Sequence, residues 1–184
     1  MNNQDKNTVD GFGDEWSRFD QSNLPDAEQH LLFDEYFSVF PWNDISMESI
    51  GFDLGCGTGR WAKFIAPMTY KLNCIDPSSL ALNQARDNLS MYGNCIFECA
   101  NASENSLQDS SQDFGYSLGV LHHTPDTYEA LENCAKKLKN TRLVFGRCYS
   151  MHSVNSASLD FRFLCGQSKL LEIILNLYYI CIFY

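Results

Sequence analysis

The part of the sequence best suited to chemistry is the segment 51–60, which reads Gly-Phe-Asp-Leu-Gly-Cys-Gly-Thr-Gly-Arg. A strand-like apolar stretch runs into Asp53, and Gly55, Gly57 and Gly59 then alternate with other residues. Glycine adopts positive φ readily and lets a backbone approach a ligand without an intervening Cβ. A tight strand-to-helix turn needs only one glycine, so three of them predict a ligand-binding loop at the carboxyl end of a strand.

Two common cofactor loops do not fit this segment. A dinucleotide site requires the pattern G-x-G-x-x-G, and the position of its third glycine is occupied by Arg60. A phosphate loop requires Gly-Lys followed by Ser or Thr, which the segment lacks. An NAD-dependent oxidoreductase is therefore a disfavoured alternative.

Strand-like and helix-like segments alternate around the glycine loop. The predicted strands are 49–54, 70–75, 94–99, 114–121 and 141–145, and the predicted helices are 23–40, 59–67, 78–91 and 125–138. Such alternation predicts an α/β fold with a Rossmann-like, doubly wound, mostly parallel sheet and helices on both faces. Ser78 has the side chain preferred at a helix N-cap.

Two segments resemble motifs of one enzyme family. Residues 53–59 match D-x-G-x-G-x-G and so resemble motif I of the class I S-adenosylmethionine (SAM)-dependent methyltransferases. Residues 113–126 contain Leu-His-His before a predicted helix and are similar to a motif of the methyltransferase type 11-like branch. The resemblance covers about residues 49–140. It implies SAM as the cofactor and a small-molecule or lipid-like methyl acceptor.

The resemblance also implies roles for single residues of the loop. Asp53 is expected near the amino-acid end of the cofactor. The loop that follows is expected to meet the methionine and ribose moieties through its backbone, and it consists of Gly55, Cys56, Gly57, Thr58 and Gly59.

Further cofactor contacts are expected after the later strands. Asp76, followed by Pro77, corresponds to the acidic residue that accepts hydrogen bonds from both ribose hydroxyls, a task for which a carboxylate offers only acceptors. A helix N-cap is the alternative role for Asp76. Asn101 and Ala102 correspond to the pair that reads the adenine edge, with an ordinary loop as the alternative. Gly119 is assigned to the cofactor site on the same resemblance.

His122 and His123 are the candidate catalytic residues. A hydroxyl or phenol acceptor must lose a proton, and imidazole titrates near neutral pH, so either side chain suits a general base. The alternative is that the pair shapes the cofactor pocket.

Composition narrows the classes of partner and compartment. The chain has 184 residues, 45% of them hydrophobic and 20% charged, which suits one globular domain. Its net charge of −10 disfavours a nucleic-acid partner. The eight cysteines occur without an apolar leader, and Cys95 and Cys99 have a spacing that does not favour zinc. We therefore expect free thiols, no metal site and a cytoplasmic protein, of undetermined oligomeric state.

The end of the chain differs from the rest. Residues 1–135 carry 6 basic and 21 acidic side chains, whereas residues 136–184 carry 7 and 2. The apolar run 170–184 is shorter than the ~20 residues that span a bilayer, so a membrane partner is not expected. No convincing sixth and seventh strands follow, so we expect the last strands of the sheet to be missing. The hypothesis is a truncated or frame-disrupted C-terminus.

These observations define a domain plan and a function. We expect a loose segment 1–22, a SAM-binding methyltransferase core 23–147 and an atypical tail 148–184 that is first basic and then apolar. The predicted function is methyl transfer from SAM to a small-molecule or lipid-like acceptor. The alternative is a non-catalytic SAM-binding protein of the same fold that lacks a complete acceptor site.

Overall fold

The computed structural model describes residues 25–38, 40, 42–149 and 158–164, together with Gly11. For 140–149 and 158–164 it describes the backbone alone. Apart from Gly11, the predicted loose segment 1–22 lies outside the described residues, and so does the apolar run 170–184.

Strands and helices alternate through the described part of the chain. The strands are β1 (Ile50–Leu54), β2 (Lys71–Asp76), β3 (Cys95–Cys99), β4 (Gln112–Leu118), β5 (Leu138–Tyr149) and β6 (Ser158–Leu164). The helices are α1 (Asp26–Tyr36), α2 (Ala62–Ile65), α3 (Ser79–Asn88) and α4 (Thr127–Lys137). Short 3-10 turns occur at Trp42–Asp44, Ala66–Met68 and Leu121–His123.

The strands form one sheet in the order β3-β2-β1-β4-β5-β6. Strands β1 to β5 pair in parallel, and β6 is antiparallel to β5. The strand order reverses at β1, so β2 and β4 flank it on opposite sides. In open sheets of this kind, ligands bind beyond the carboxyl ends of the strands at such a reversal. The predicted mostly parallel, Rossmann-like sheet is confirmed.

Local sequence signals explain several element boundaries. Ser78 caps α3, because its hydroxyl accepts a hydrogen bond from Ala81 N at 3.3 Å. Asp126 does the same for α4 by accepting from Glu129 N at 2.9 Å. The fourth strand ends at Leu118 and not at 121 as predicted, because Gly119 has a φ of +73° and turns the chain into the following 3-10 turn.

The sheet separates two apolar cores. Aromatic residues from α1 and the start of α2, among them Phe33, Phe37 and Trp61, pack on one face. The other face buries Phe52 and Leu54 of β1 against α4. Because side chains alternate along a strand, Asp53 lies on the aromatic side between two buried neighbours. The sheet therefore encloses an acidic side chain immediately before the glycine loop.

The expectation that the last strands are missing is wrong for residues 158–164. Strand β6 pairs with β5 from Tyr149↔Ser158 to Leu143↔Leu164. Its sequence, Ser-Leu-Asp-Phe-Arg-Phe-Leu, alternates apolar and polar residues with the period of a strand, a signal that the charge reversal around it obscured. The predicted boundary between 147 and 148 falls within β5, because the pairing with β6 continues to Tyr149.

Candidate cofactor and active site

The glycine loop is fastened to the end of β2. The N–H groups of Gly55 and Cys56 donate to the carbonyl of Ile75 at 2.7 and 3.1 Å. Gly57 N donates to Oδ2 of Asp76 at 2.8 Å. The structure therefore brings the predicted loop and the predicted acidic residue together at the carboxyl ends of neighbouring strands.

The three glycines of the loop do different things, although all have positive φ, between 55° and 79°. A Cβ on Gly55 would lie 2.3 Å from a methyl of Val120, and one on Gly59 would lie 2.7 Å from Leu89 Cδ1. A Cβ on Gly57 would have no atom of the described residues within 4 Å. Two of the glycines thus allow close packing inside the protein, whereas Gly57 borders open space where a ligand can approach.

The side chains between the glycines face inward. Cys56 is buried in the aromatic core, and its thiol lies 3.8 Å from the carbonyl of Gly57. Thr58 is also buried, and its carbonyl accepts a hydrogen bond from Asn88 Nδ2 at 2.9 Å. Both residues therefore offer a ligand their backbone more readily than their side chains. The sequence analysis missed Asn88, whose anchoring contact depends on how α3 packs against the loop.

Asp53 is a buried acid with an unpaired oxygen. It is 2% exposed, and its Oδ2 has no hydrogen-bond partner among the described residues. Burial raises its pKa to about 8, with a further rise from nearby Asp76. In the sheet register Asp53 stands between Cys74 of β2 and Tyr116 of β4.

Tyr116 lies within the segment 113–126, in which the sequence analysis singled out only Leu-His-His, and the structure gives it a specific position. Its phenol lies close enough to Asp53 to lower the pKa of that carboxyl, yet neither Asp53 Oδ2 nor the Tyr116 hydroxyl meets hydrogen-bond geometry. The two groups are adjacent but not bonded. Burial raises the pKa of Tyr116 well above its ordinary value, so the phenol is neutral. Only the strand register could reveal this pairing.

Asp76 is held rigidly and keeps acceptor capacity. Its Oδ1 accepts from Ser78 N at 2.8 Å, and its Oδ2 accepts from Gly57 N. A carboxylate has roughly four acceptor positions, so about two stay available. Burial raises the pKa of Asp76, and the two N–H bonds oppose that rise. The N-cap of α3 is Ser78, which removes the alternative role proposed for Asp76.

The residues after β3 lie at the same edge of the sheet, but the side chain of Asn101 forms hydrogen bonds within its own loop. Oδ1 of Asn101 accepts from the N–H groups of Ser103 and Glu104, both at 2.8 Å. Ala102 is buried in the core on the α4 side. The carbonyl of Pro77 accepts from the Cys99 thiol at 3.5 Å. The loop alternative for Asn101 thus has direct geometric support, and any contact that reads an adenine edge here falls to the backbone.

The histidine pair follows β4 in the 3-10 turn Leu121–His123. The two rings lie 3.9 Å apart, and His122 Nδ1 is buried without a partner among the described residues. Partial burial, helped by the neighbouring ring, lowers the pKa of His122 to about 4, and burial also lowers that of His123. Gly119 and Val120 lead into this turn, and Val120 packs on Gly55. The pair therefore lies near the glycine loop and is neutral at pH 7.

A cleft of about 560 Å³ occurs at the opposite end of the sheet. It is lined by residues near the starts of strands, including Ile50, Lys71 and Gln112. Its buried amides are already paired, since Asn73 Nδ2 donates to Gln112 Oε1 at 3.0 Å. Ligands of parallel sheets bind at the carboxyl ends, so this cleft is not the cofactor site. Within the described ranges no cluster of metal-ligating side chains occurs, and no helix is long and apolar enough to cross a membrane.

The residues at the carboxyl edge fit SAM. Open space at Gly57 admits a ligand against the backbone, Asp76 retains acceptors for hydroxyls, and Asp53 supplies a buried acidic group for a cationic ligand. A family profile described as "Methyltransferase domain" matches residues 52–141. Residues 52–141 are identified as a class I SAM-dependent methyltransferase domain. Members of this family use SAM as their cofactor.

Individual relatives agree with this family. The chain is 30% identical over 115 residues to the O-methyltransferase resE of Aspergillus sclerotiorum, covering 58% of this chain and 43% of that protein. The matched region therefore spans less than half the length of that methyltransferase.

Solved structures show the same fold. Phosphoethanolamine N-methyltransferase 1 of Haemonchus contortus, in complex with phosphoethanolamine and S-adenosylhomocysteine (SAH), superimposes with a TM-score of 0.67 and 16% identity. That match covers 82% of this chain and 36% of the other. The N-methyltransferase NodS of Bradyrhizobium japonicum, in complex with SAH, gives a TM-score of 0.62 and 19% identity, covering 77% and 73% of the two chains.

Proposed function

We propose that this methyltransferase binds SAM at the carboxyl edge of β1, β2 and β4 and transfers its methyl group to a small-molecule acceptor. The observation that carries the proposal is the contrast among the glycines. Gly57 alone of the three borders open space, and its N–H holds the Asp76 carboxylate beside it. A strand-to-helix turn needs no such opening.

Each candidate residue has a role that its geometry supports. The backbone at Gly57 receives the cofactor, and the remaining acceptor positions of Asp76 take the ribose hydroxyls. Asp53 faces the positively charged amino-acid end. The backbone at Pro77, Asn101 and Ala102 borders the adenine. These assignments rest on the position of each group along the carboxyl edge of the sheet.

Methyl transfer requires little covalent chemistry from the protein. SAM supplies an electrophilic methyl group on a sulfonium, so the chain's main tasks are to position the two reactants and exclude water. The aromatic core behind the loop, with Trp61 and Phe37, supplies an apolar wall.

The histidine pair is proposed to border the acceptor. With a pKa of about 4, His122 is neutral at pH 7 but is a weak base, since general bases work best with pKa values near the operating pH. We therefore favour a pocket-shaping role for His122 over proton abstraction. Burial alone lowers the pKa of His123, without the added effect of a neighbouring ring that acts on His122, so His123 is the better candidate for a base if the acceptor is a hydroxyl.

The test of the cofactor site is calorimetric titration of the full chain with SAM. We expect micromolar binding to the wild type and loss of binding in Asp76→Ala, which removes both the ribose acceptors and the anchor of Gly57. Asp87→Ala is the matched control, because Asp87 is an exposed carboxylate on α3. Folded wild-type protein that does not bind SAM would refute the proposal, as would equal binding by both variants.

A non-catalytic SAM-binding protein is the second candidate. It is favoured by the low pKa of His122, about 4, which makes this candidate base of the site a weak one at pH 7. Formation of SAH with a panel of small hydroxyl and amine acceptors separates the two functions. Binding of SAM without any turnover across the panel supports the second candidate.

A further inference from the structure

The buried acid of β1 has an unusual set of neighbours. Asp53 is register-paired with Cys74 on β2 and with Tyr116 on β4, and the three side chains share the aromatic face of the sheet. From α1, Phe37 covers Tyr116 edge-on, with ring centroids 5.4 Å apart. Asp53 Oδ2 and the Tyr116 hydroxyl are both buried, and neither has a hydrogen-bond partner in the described part of the chain. A carboxylate in this state lacks the hydrogen bonds that a buried charge requires.

The surroundings of Asp53 favour its neutral, protonated form. Burial has the largest effect, and Asp76 on β2 and Cys95 on β3 act in the same direction. The Tyr116 phenol opposes them, and the pKa of Asp53 stands at about 8. The other titratable neighbours are the thiols of Cys56 in the loop and Cys74 on β2. Among the described groups that act on this carboxyl, none is a lysine or arginine.

We propose that Asp53 is a neutral acid in the cofactor-free protein, that it ionises when the cationic cofactor binds, and that Tyr116 is the positioning residue whose hydroxyl then stabilises the carboxylate. The inference rests on the proposed SAM site. It adds the release of a proton to the binding equilibrium. When the protein and SAM combine, the O–H bond of the Asp53 carboxyl breaks and the carboxylate keeps the electron pair. The proton passes to the buffer.

Electrostatics gives the direction of this coupling. SAM carries a sulfonium and, near neutral pH, an ammonium group. A positive charge within about 4–6 Å lowers a carboxyl pKa by about 1–3 units. Ionisation also turns the carboxyl into a stronger acceptor, and the adjacent phenol has a hydrogen to donate and no other partner among the residues that the structure describes. The unpaired oxygens of the cofactor-free protein thereby become a hydrogen-bonded pair in the complex.

The test is calorimetric titration with SAM in two buffers of different ionisation enthalpy, which counts protons released on binding. At pH 6.5 the wild type should release about 0.2–0.9 of a proton from Asp53, as a carboxyl pKa of about 8 falls by about 1–3 units, and at pH 9 it should release little, because the acid is already ionised there. The α-amino group of SAM itself titrates near pH 8, so the quantity to compare is the difference between wild type and Asp53→Asn. Asparagine matches the shape of the neutral acid and has no proton to lose.

A second variant tests the positioning role. Tyr116→Phe removes the donor, so we expect roughly tenfold weaker SAM binding and a release curve displaced to higher pH. Tyr92→Phe is the matched control, since Tyr92 packs against the same core and should change neither quantity. A purely structural loss at Tyr116 would weaken binding without moving the pH of release.

An infrared difference spectrum of the wild type gives a reading that depends on no variant. Addition of SAM at pH 6.5 should remove a carboxylic acid C=O band. SAM binding with the same proton count in wild type and Asp53→Asn would overturn this inference while leaving the cofactor site intact. Absence of SAM binding by the wild type would overturn the proposed function and this inference together.

Discussion

Substitution of Gly57 by alanine separates ligand approach from folding more cleanly than any other change in the loop. At Gly57 the new methyl group meets no atom within 4 Å in the part of the chain that the structure describes, so the main cost to the fold is an alanine at a φ of +55°. That cost is about 1 kcal/mol of unfolding free energy. The same methyl group would occupy the space proposed for the cofactor, and we expect at least a tenfold loss of SAM affinity.

Gly55→Ala is the matched control, because it should cost the fold more stability than Gly57→Ala does. Its methyl group would lie 2.3 Å from a Val120 methyl, at a φ of +75°. Strain and overpacking together predict a loss of about 2–4 kcal/mol in unfolding free energy. The double variant Gly55→Ala, Val120→Ala should recover part of that loss, because the smaller side chain makes room.

The assays are equilibrium urea unfolding and calorimetric titration with SAM. The reasoning is refuted if Gly57→Ala loses as much stability as Gly55→Ala. It is also refuted if Gly57→Ala binds SAM with wild-type affinity, since the open space would then not be where the cofactor sits.

Two further predictions concern the pH dependence of stability without SAM. The folded pKa of Asp53, about 8, lies above its ordinary 3.8, so its stabilising effect is full below about pH 4 and is lost as pH rises to about 8, by at most about 6 kcal/mol. Urea unfolding of wild type and Asp53→Asn should therefore diverge in favour of the variant across this range, and parallel curves would contradict the buried acid. For His122 the pH dependence of stability has the opposite sign. Its folded pKa, about 4, lies below the ordinary value of 6.5. Stability is therefore lost as pH falls between those values, by about 1 kcal/mol after allowance for partial exposure. His122→Gln should lack this loss, and an equal loss in both proteins would place the effect elsewhere.

The sequence alone determined the fold class and the position of the cofactor loop. The alternation of strands and helices is a local signal. Motif I is a local signal too, because its three glycines indicate a backbone conformation that other residues rarely adopt. The assignment of Asp76 to the site followed from the resemblance to the family, and the structure brings Asp76 to the loop because the carboxyl ends of adjacent parallel strands meet at one edge. These properties depend on short stretches of chain, so the sequence alone predicts them.

The tertiary structure decided what each residue of the site does. Gly55, Gly57 and Gly59 look alike in the sequence, and only the positions of Val120 and Leu89 distinguish packing glycines from the one that borders open space. Likewise, Tyr116 and Asp53 lie 63 residues apart, and only the register of β4 on β1 makes them neighbours. Contacts between distant parts of a chain depend on how complete elements pack, and no local pattern encodes that packing.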